Sequence, residues 1–140
     1  MKKAICNFMP LAPSRADSLE REINFDRAIR DHLLWKDRLR HIITETAWDR
    51  RKVCADLDGN HCELGAWLQM RERSLRSLNA YRKLVETHAQ FHRIAGLVVA
   101  KVNTHDVRDA DDTLEGAFVL ATVDMVRAII NFKDELTQCR

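Results

Sequence analysis

The sequence predicts an all-α protein, a four-helix bundle with a short extra helix carrying Cys62. Three observations predict it. Four Gly and two Pro in 140 residues leave little material for turns, while apolar residues make up 46 % and charge is spread along the chain. Apolar side chains recur at alternating steps of three and four over three long stretches, as they do along packed helices. Pairs with the spacing of a capping box, Asp17 with Glu20, Asn60 with Glu63 and Asp112 with Glu115, stand near where such stretches begin.

Residues 1–16 read as an irregular lead-in, because Pro10 and Pro13 block helix, and 17–140 read as one folded domain. The first helix opens near Asp17. Its seam runs Phe25, Ala28, His32, Trp35, Leu39, Ile42, Thr46, with Arg27, Arg30, Asp31, Lys36, Asp37 and Arg38 on other faces. His32 interrupts an apolar row, and Trp35, one turn below it, is placed to shield its ring.

The pattern weakens between Trp48 and Asn60, and Asp58-Gly59-Asn60 signals a turn. Asn60 then caps a short helix with Cys62 in its first turn. Backbone N–H groups and the positive end of the helix dipole stabilise a thiolate there, so Cys62 should ionise more readily than an ordinary thiol.

The third helix is expected from about Ser74 to Val102, ending near Asn103, with Tyr81, Val85, His88, His92, Ala95, Val99 and Val102 as its seam. A polar link with His105 and Asp106 follows. The fourth helix, entered at Asp112, presents Leu114, Phe118, Ala121, Met125, Ile129, Phe132 and Leu136 and offers no metal ligand on that face. Its expected work is to close the bundle and to pair with a second copy.

The formal net charge is +2, with acidic and basic residues interleaved, which gives no pull toward nucleic acid or anionic membrane. Arg50-Arg51-Lys52 and the run from Arg71 to Arg76 read as solvated helix ends. No stretch has the makeup of a signal peptide or approaches the roughly 18 apolar residues of a membrane span, so a cytoplasmic location is the default expectation. Cys6, Cys54, Cys62 and Cys139 show no disulfide framework, in keeping with a reducing compartment.

His88 and His92 stand four apart, so both rings project from one helix face toward one point, in slots where Leu or Ile would be expected. A pair of imidazoles in a core needs a partner. A metal ion completed by His32 and Cys62 from two other helices supplies it. Three neutral imidazoles and one thiolate form a borderline-soft tetrahedral set that suits zinc and leaves no open position for a substrate, so the expectation is binding and no enzymatic activity. With one thiolate the ion keeps positive charge. Its affinity should be pH-dependent and its exchange easier than in a four-cysteine site, as a sensor requires. Oxidation of Cys62 to a sulfenic acid would weaken a ligand and couple redox state to occupancy.

Other readings of these residues stand beside this one. A core histidine satisfied by a hydrogen bond and a cysteine that fills space are both common, and polar groups on a seam can set helix register in a metal-free dimerisation module. His61 competes with its neighbour as a ligand, whereas His41 and His105 read as surface residues. Trp67 reads as packing and Glu63 as a cap. Asp31, Glu86 and Asp106 are open alternatives for orienting an imidazole N–H. A di-iron enzyme needs inward Glu residues and two Glu-x-x-His pairs, and the seams lack them.

Three fragments together resemble the bacterial chemoreceptor zinc-binding domain family, abbreviated CZB: His32-Leu33-Leu34-Trp35, Cys62-Glu63-Leu64-Gly65-Ala66-Trp67-Leu68 and His88-Ala89-Gln90-Phe91-His92. The resemblance covers roughly Phe25 to Leu136. It implies a helical bundle, a homodimer, and one Zn²⁺ per subunit held by His32, Cys62, His88 and His92. It also implies a role in signal transduction such as chemotaxis, with a chemoreceptor or diguanylate cyclase as signalling partner and, in some members, a response to oxidants such as hypochlorous acid at the zinc-bound cysteine. No GGDEF-like stretch and no long signalling coiled coil is present in this sequence. A stand-alone module acting on a separate protein is therefore expected.

Overall fold

The computed structural model describes residues 23–44 and 62–138, in which every regular element is a helix. The lead-in, the Asp17 start, Thr46, the segment of weakened pattern, His61, Cys6, Cys54 and Cys139 lie outside the described residues.

The first rod comprises α1 (Phe25–Leu33) and α2 (Trp35–Thr44). Asn24 caps α1, its Oδ1 accepting the Arg27 N–H at 2.9 Å. Leu34 separates the two helices by one residue, yet its N–H donates to the Arg30 carbonyl and its carbonyl accepts from Arg38, so hydrogen bonding runs through the junction. Phe25, Ala28, His32, Trp35, Leu39 and Ile42 are all buried, which is the predicted seam over its described part.

The short helix α3 (Glu63–Met70) carries the first correction. Cys62 is its cap rather than a member of its first turn: the residue is extended, and its sulfur accepts the Gly65 N–H at 3.2 Å. A second correction follows. The long helix begins at Asn79 instead of Ser74, because a separate turn of helix, α4 (Glu72–Leu75), comes first. Burying both Leu75 and Leu78, 1 % and 2 % exposed, requires the chain to bend between them, and Leu78 takes up extended backbone there.

From Asn79 to Asn103, α5 is the central rod. Val85, expected on its seam, is 39 % exposed, while Leu84 and Phe91 are fully buried. Packing against α7, α6 and α2 widens the buried strip, which takes in Leu84, Phe91 and Val98. The helix ends in a Schellman arrangement in which His105 adopts a positive φ of 63° and Asp106 N–H reaches back to the Lys101 carbonyl. Gly or Asn usually fills that position, so the sequence carries no signal for it.

The last rod starts earlier than expected. Asp106, read from sequence as part of a link, caps α6 (Val107–Glu115), and α7 (Ala117–Gln138) follows after Gly116. All seven predicted seam residues from Leu114 to Leu136 are buried. Arg40 bridges Asp111 and Glu115, with Lys36 also on Glu115, so charged side chains tie α2 to α6 across the surface. Among the described residues, no helix is long and apolar enough to cross a membrane.

Candidate metal centre

His32 comes from the last turn of α1. Its Nδ1 lies 2.7 Å from the Ala28 carbonyl oxygen, which can only accept, so Nδ1 carries the proton and Nε2 is left as an electron-pair donor. The acceptor orienting this ring is thus backbone, not one of the carboxylates considered from sequence. Cys62 enters from the start of α3, its sulfur fixed by the Gly65 N–H. His88 and His92 project from adjacent turns of α5 with their Nε2 atoms 3.1 Å apart.

These four side chains meet. Cys62 Sγ stands 3.1 Å from His88 Nε2 and 3.8 Å from His32 Nε2, and one donor atom from each of the four residues lies within 4.8 Å of every other. Around a tetrahedral zinc, bonds of about 2.05 Å to nitrogen and about 2.3 Å to sulfur put donors about 3.3 to 3.6 Å apart. The observed separations bracket those edges, so the residues present fit such an ion.

The surroundings favour the metal-binding protonation state. The three histidines are 4–5 % exposed. Burial lowers the His32 pKa, partly offset by the Ala28 hydrogen bond and by Asp31, and Arg38 lowers it slightly. Burial, with neighbouring His92 and His32, pulls His88 down to about 3. Both rings are therefore neutral at neutral pH, as coordination requires.

Aromatic side chains wall the cluster. Phe91 sits edge-on to His32 and His92, each 5.2 Å between ring centres, and Trp35 packs edge-on to His92 at 5.5 Å. Trp35, expected beside His32, lines the same cleft as that ring and also packs on His92; Phe91 walls both rings and carries no signal in the sequence beyond its place between the two histidines. Trp67 packs on Phe25 and Phe132, as a core residue. The Gly65 contact was also missed, although Cys62-x-x-Gly65 has the spacing of an N-cap to the third helical residue. His41 and His105 are exposed and stand apart from the cluster.

Two clefts border the centre. One of about 280 Å³ is lined by Asp31, His32, Trp35, Arg38, Cys62 and Glu63, among others. A larger one, about 760 Å³, reaches His88 and His92 past Arg76, Arg82 and Arg93.

Residues 32–99 match the family model of the chemoreceptor zinc-binding domain. That stretch of the chain belongs to this family. The matched span of the zinc-binding domain opens on His32 and contains Cys62, His88 and His92, together with all three fragments that carried the resemblance. The rod of α6 and α7 lies beyond it and completes the core around Phe91, which packs on Phe118 at 5.0 Å. No curated protein and no solved structure matches the chain.

Proposed function

We propose that this domain binds one Zn²⁺ through His32, Cys62, His88 and His92 and transmits its occupancy to a separate signalling protein. The observation that carries the reading is the convergence of three imidazole nitrogens and one sulfur from three helices, all within 4.8 Å of one another. When bound, the ion supplies a crosslink between α1, α3 and α5. The chain's own residues do the rest: the Ala28 carbonyl aims His32, the Gly65 N–H stabilises the thiolate, and Phe91 and Trp35 exclude water. Four protein donors fill the coordination sphere, so the function is regulatory rather than enzymatic.

The proposed setting is a cytoplasmic, bacterial signalling module of the chemotaxis type, with a chemoreceptor or diguanylate cyclase acting in trans as partner. A homodimer is part of this proposal. It is supported by exposed Leu120, Val123 and Ile130, which share a stripe along α7.

Metal analysis of protein purified without added zinc, beside Cys62→Ala and His88→Ala variants, tests the site. The expected result is one equivalent in the wild type and loss in both variants. Wild-type protein that takes up no zinc even on reconstitution would end the proposal.

A second reading, an oxidant sensor, is favoured by one feature: Cys62 is only partly buried and borders the smaller cleft. A thiolate and hypochlorous acid give sulfenic acid and chloride, the sulfur losing two electrons and the chlorine gaining them. Titration with oxidant while a chromogenic chelator reports released zinc separates the two; no release at stoichiometric oxidant counts against it.

A further inference from the structure

The three histidines are buried, so an ion reaches them along a cleft, and two clefts among the described residues that border the centre differ in charge. In the smaller one, Asp31 and Glu63 face a single Arg38; in the larger, Arg76, Arg82 and Arg93 outnumber Glu72 and Glu86. The smaller cleft also ends on Cys62, the most accessible of the four candidate donors, and on His32. Each of its carboxylates is the chain neighbour of one of those donors, Asp31 beside His32 on α1 and Glu63 beside Cys62 on α3.

We propose that metal enters and leaves by the cleft between α1, α2 and α3, drawn in by Asp31 and Glu63 and opposed by Arg38. The inference rests on the zinc-binding reading above and adds a route to it. Among the described lining residues, carboxylates outnumber cations at this mouth and draw a dication in, whereas arginines outnumber carboxylates at the other and repel it. The first donor met on this path is the sulfur, whose thiolate captures the ion before the deeper pair on α5 closes around it. Asp31 also pairs with Arg27 at 3.7 Å, an exposed contact from outside the cleft lining that weakens the pull of Asp31 and leaves Glu63 as its partner in steering. Arg38 stacks over the Trp35 ring at 5.6 Å, which holds its charge at the rim.

The test is the rate of Zn²⁺ association with metal-free protein, followed by stopped flow against a fluorescent zinc indicator at about 0.02 M and about 0.5 M salt. Four proteins are compared: wild type, Asp31→Asn with Glu63→Gln, Arg38→Gln, and Glu72→Gln with Glu86→Gln as the control in the larger cleft. At low salt the first pair should slow association about three- to tenfold and Arg38→Gln should speed it about two- to threefold, with both differences shrinking at high salt. The control pair should leave the rate unchanged. All the substituted side chains are exposed, and opposite effects from opposite charges separate steering from misfolding. Unchanged rates in the first pair, or slowing in the control pair instead, overturn the route while leaving the zinc centre standing. Wild-type protein that binds no zinc overturns both.

Discussion

Cys62 Sγ lies 3.1 Å from His88 Nε2, although 26 residues separate the two along the chain. One belongs to the cap of a short helix and the other to the middle of the longest, so the contact exists only in the folded protein. Replacing either by Ala should lower zinc affinity by more than about 100-fold, since losing even an outer-shell partner costs about 10- to 100-fold. Competition with a chelator of known affinity measures this, while circular dichroism should show the helices retained.

Without metal, the same polar cluster is a burden on stability. His88 is 5 % exposed and surrounded by other imidazoles, an arrangement an apolar side chain of similar size would relieve. His88→Leu should therefore leave the melting temperature of metal-free protein equal or raised. Added zinc, which stabilises the wild type by binding only the folded state, should no longer raise it.

Acid should destabilise the metal-free domain. The unfolded chain's histidines titrate near 6.5, whereas the folded state holds His88 at about 3 and His32 below its usual value. Below pH 6.5 the unfolded chain binds more protons than the folded one, so stability is unaffected by these rings' titration above that pH and is progressively lost as pH falls toward 3. Urea midpoints at a series of pH values from about 7.5 to about 4.5 should decline steadily, and the decline should be shallower in His88→Leu.

Phe91 should be the costliest residue of the site wall to remove. Fully buried, it touches His32, His92, Trp35 and Phe118 at once. Phe91→Ala should lose about 3–5 kcal/mol by chemical denaturation. Zinc affinity should fall with it, because the His32 and His92 rings lose a shared wall, and Phe91→Leu should be milder in both measurements.

Arg40 marks the opposite extreme. It joins Asp111 and Glu115, but all three side chains are more than a third exposed. Arg40→Ala should therefore cost about 1 kcal/mol or less, and the difference should shrink in high salt.

Several elements were legible before folding. The seams of the first and last rods were read residue for residue over their described parts, because each presents one apolar stripe to one core and a three-four period captures it. On α5 the reading slipped to Val85, since that helix packs against several neighbours and its broad buried face cannot be reduced to one line. Helix ends were less legible. Cys62 and Leu78 act as caps without the usual polar oxygen, and His105 takes a left-handed conformation that no residue preference announces.

By itself the sequence determined the all-α class, the apolar stripes and the identity of four residues able to share a metal ion, since periodicity and donor chemistry are properties of residue type and order. Only the tertiary structure decided that those donors meet within a few ångströms, that the Ala28 carbonyl aims His32, that Phe91 and Trp35 wall the centre, and which cleft leads to the sulfur. Such relations depend on how helices distant in the chain rotate and pack against one another. Packing is settled by the whole core at once, not by any local pattern.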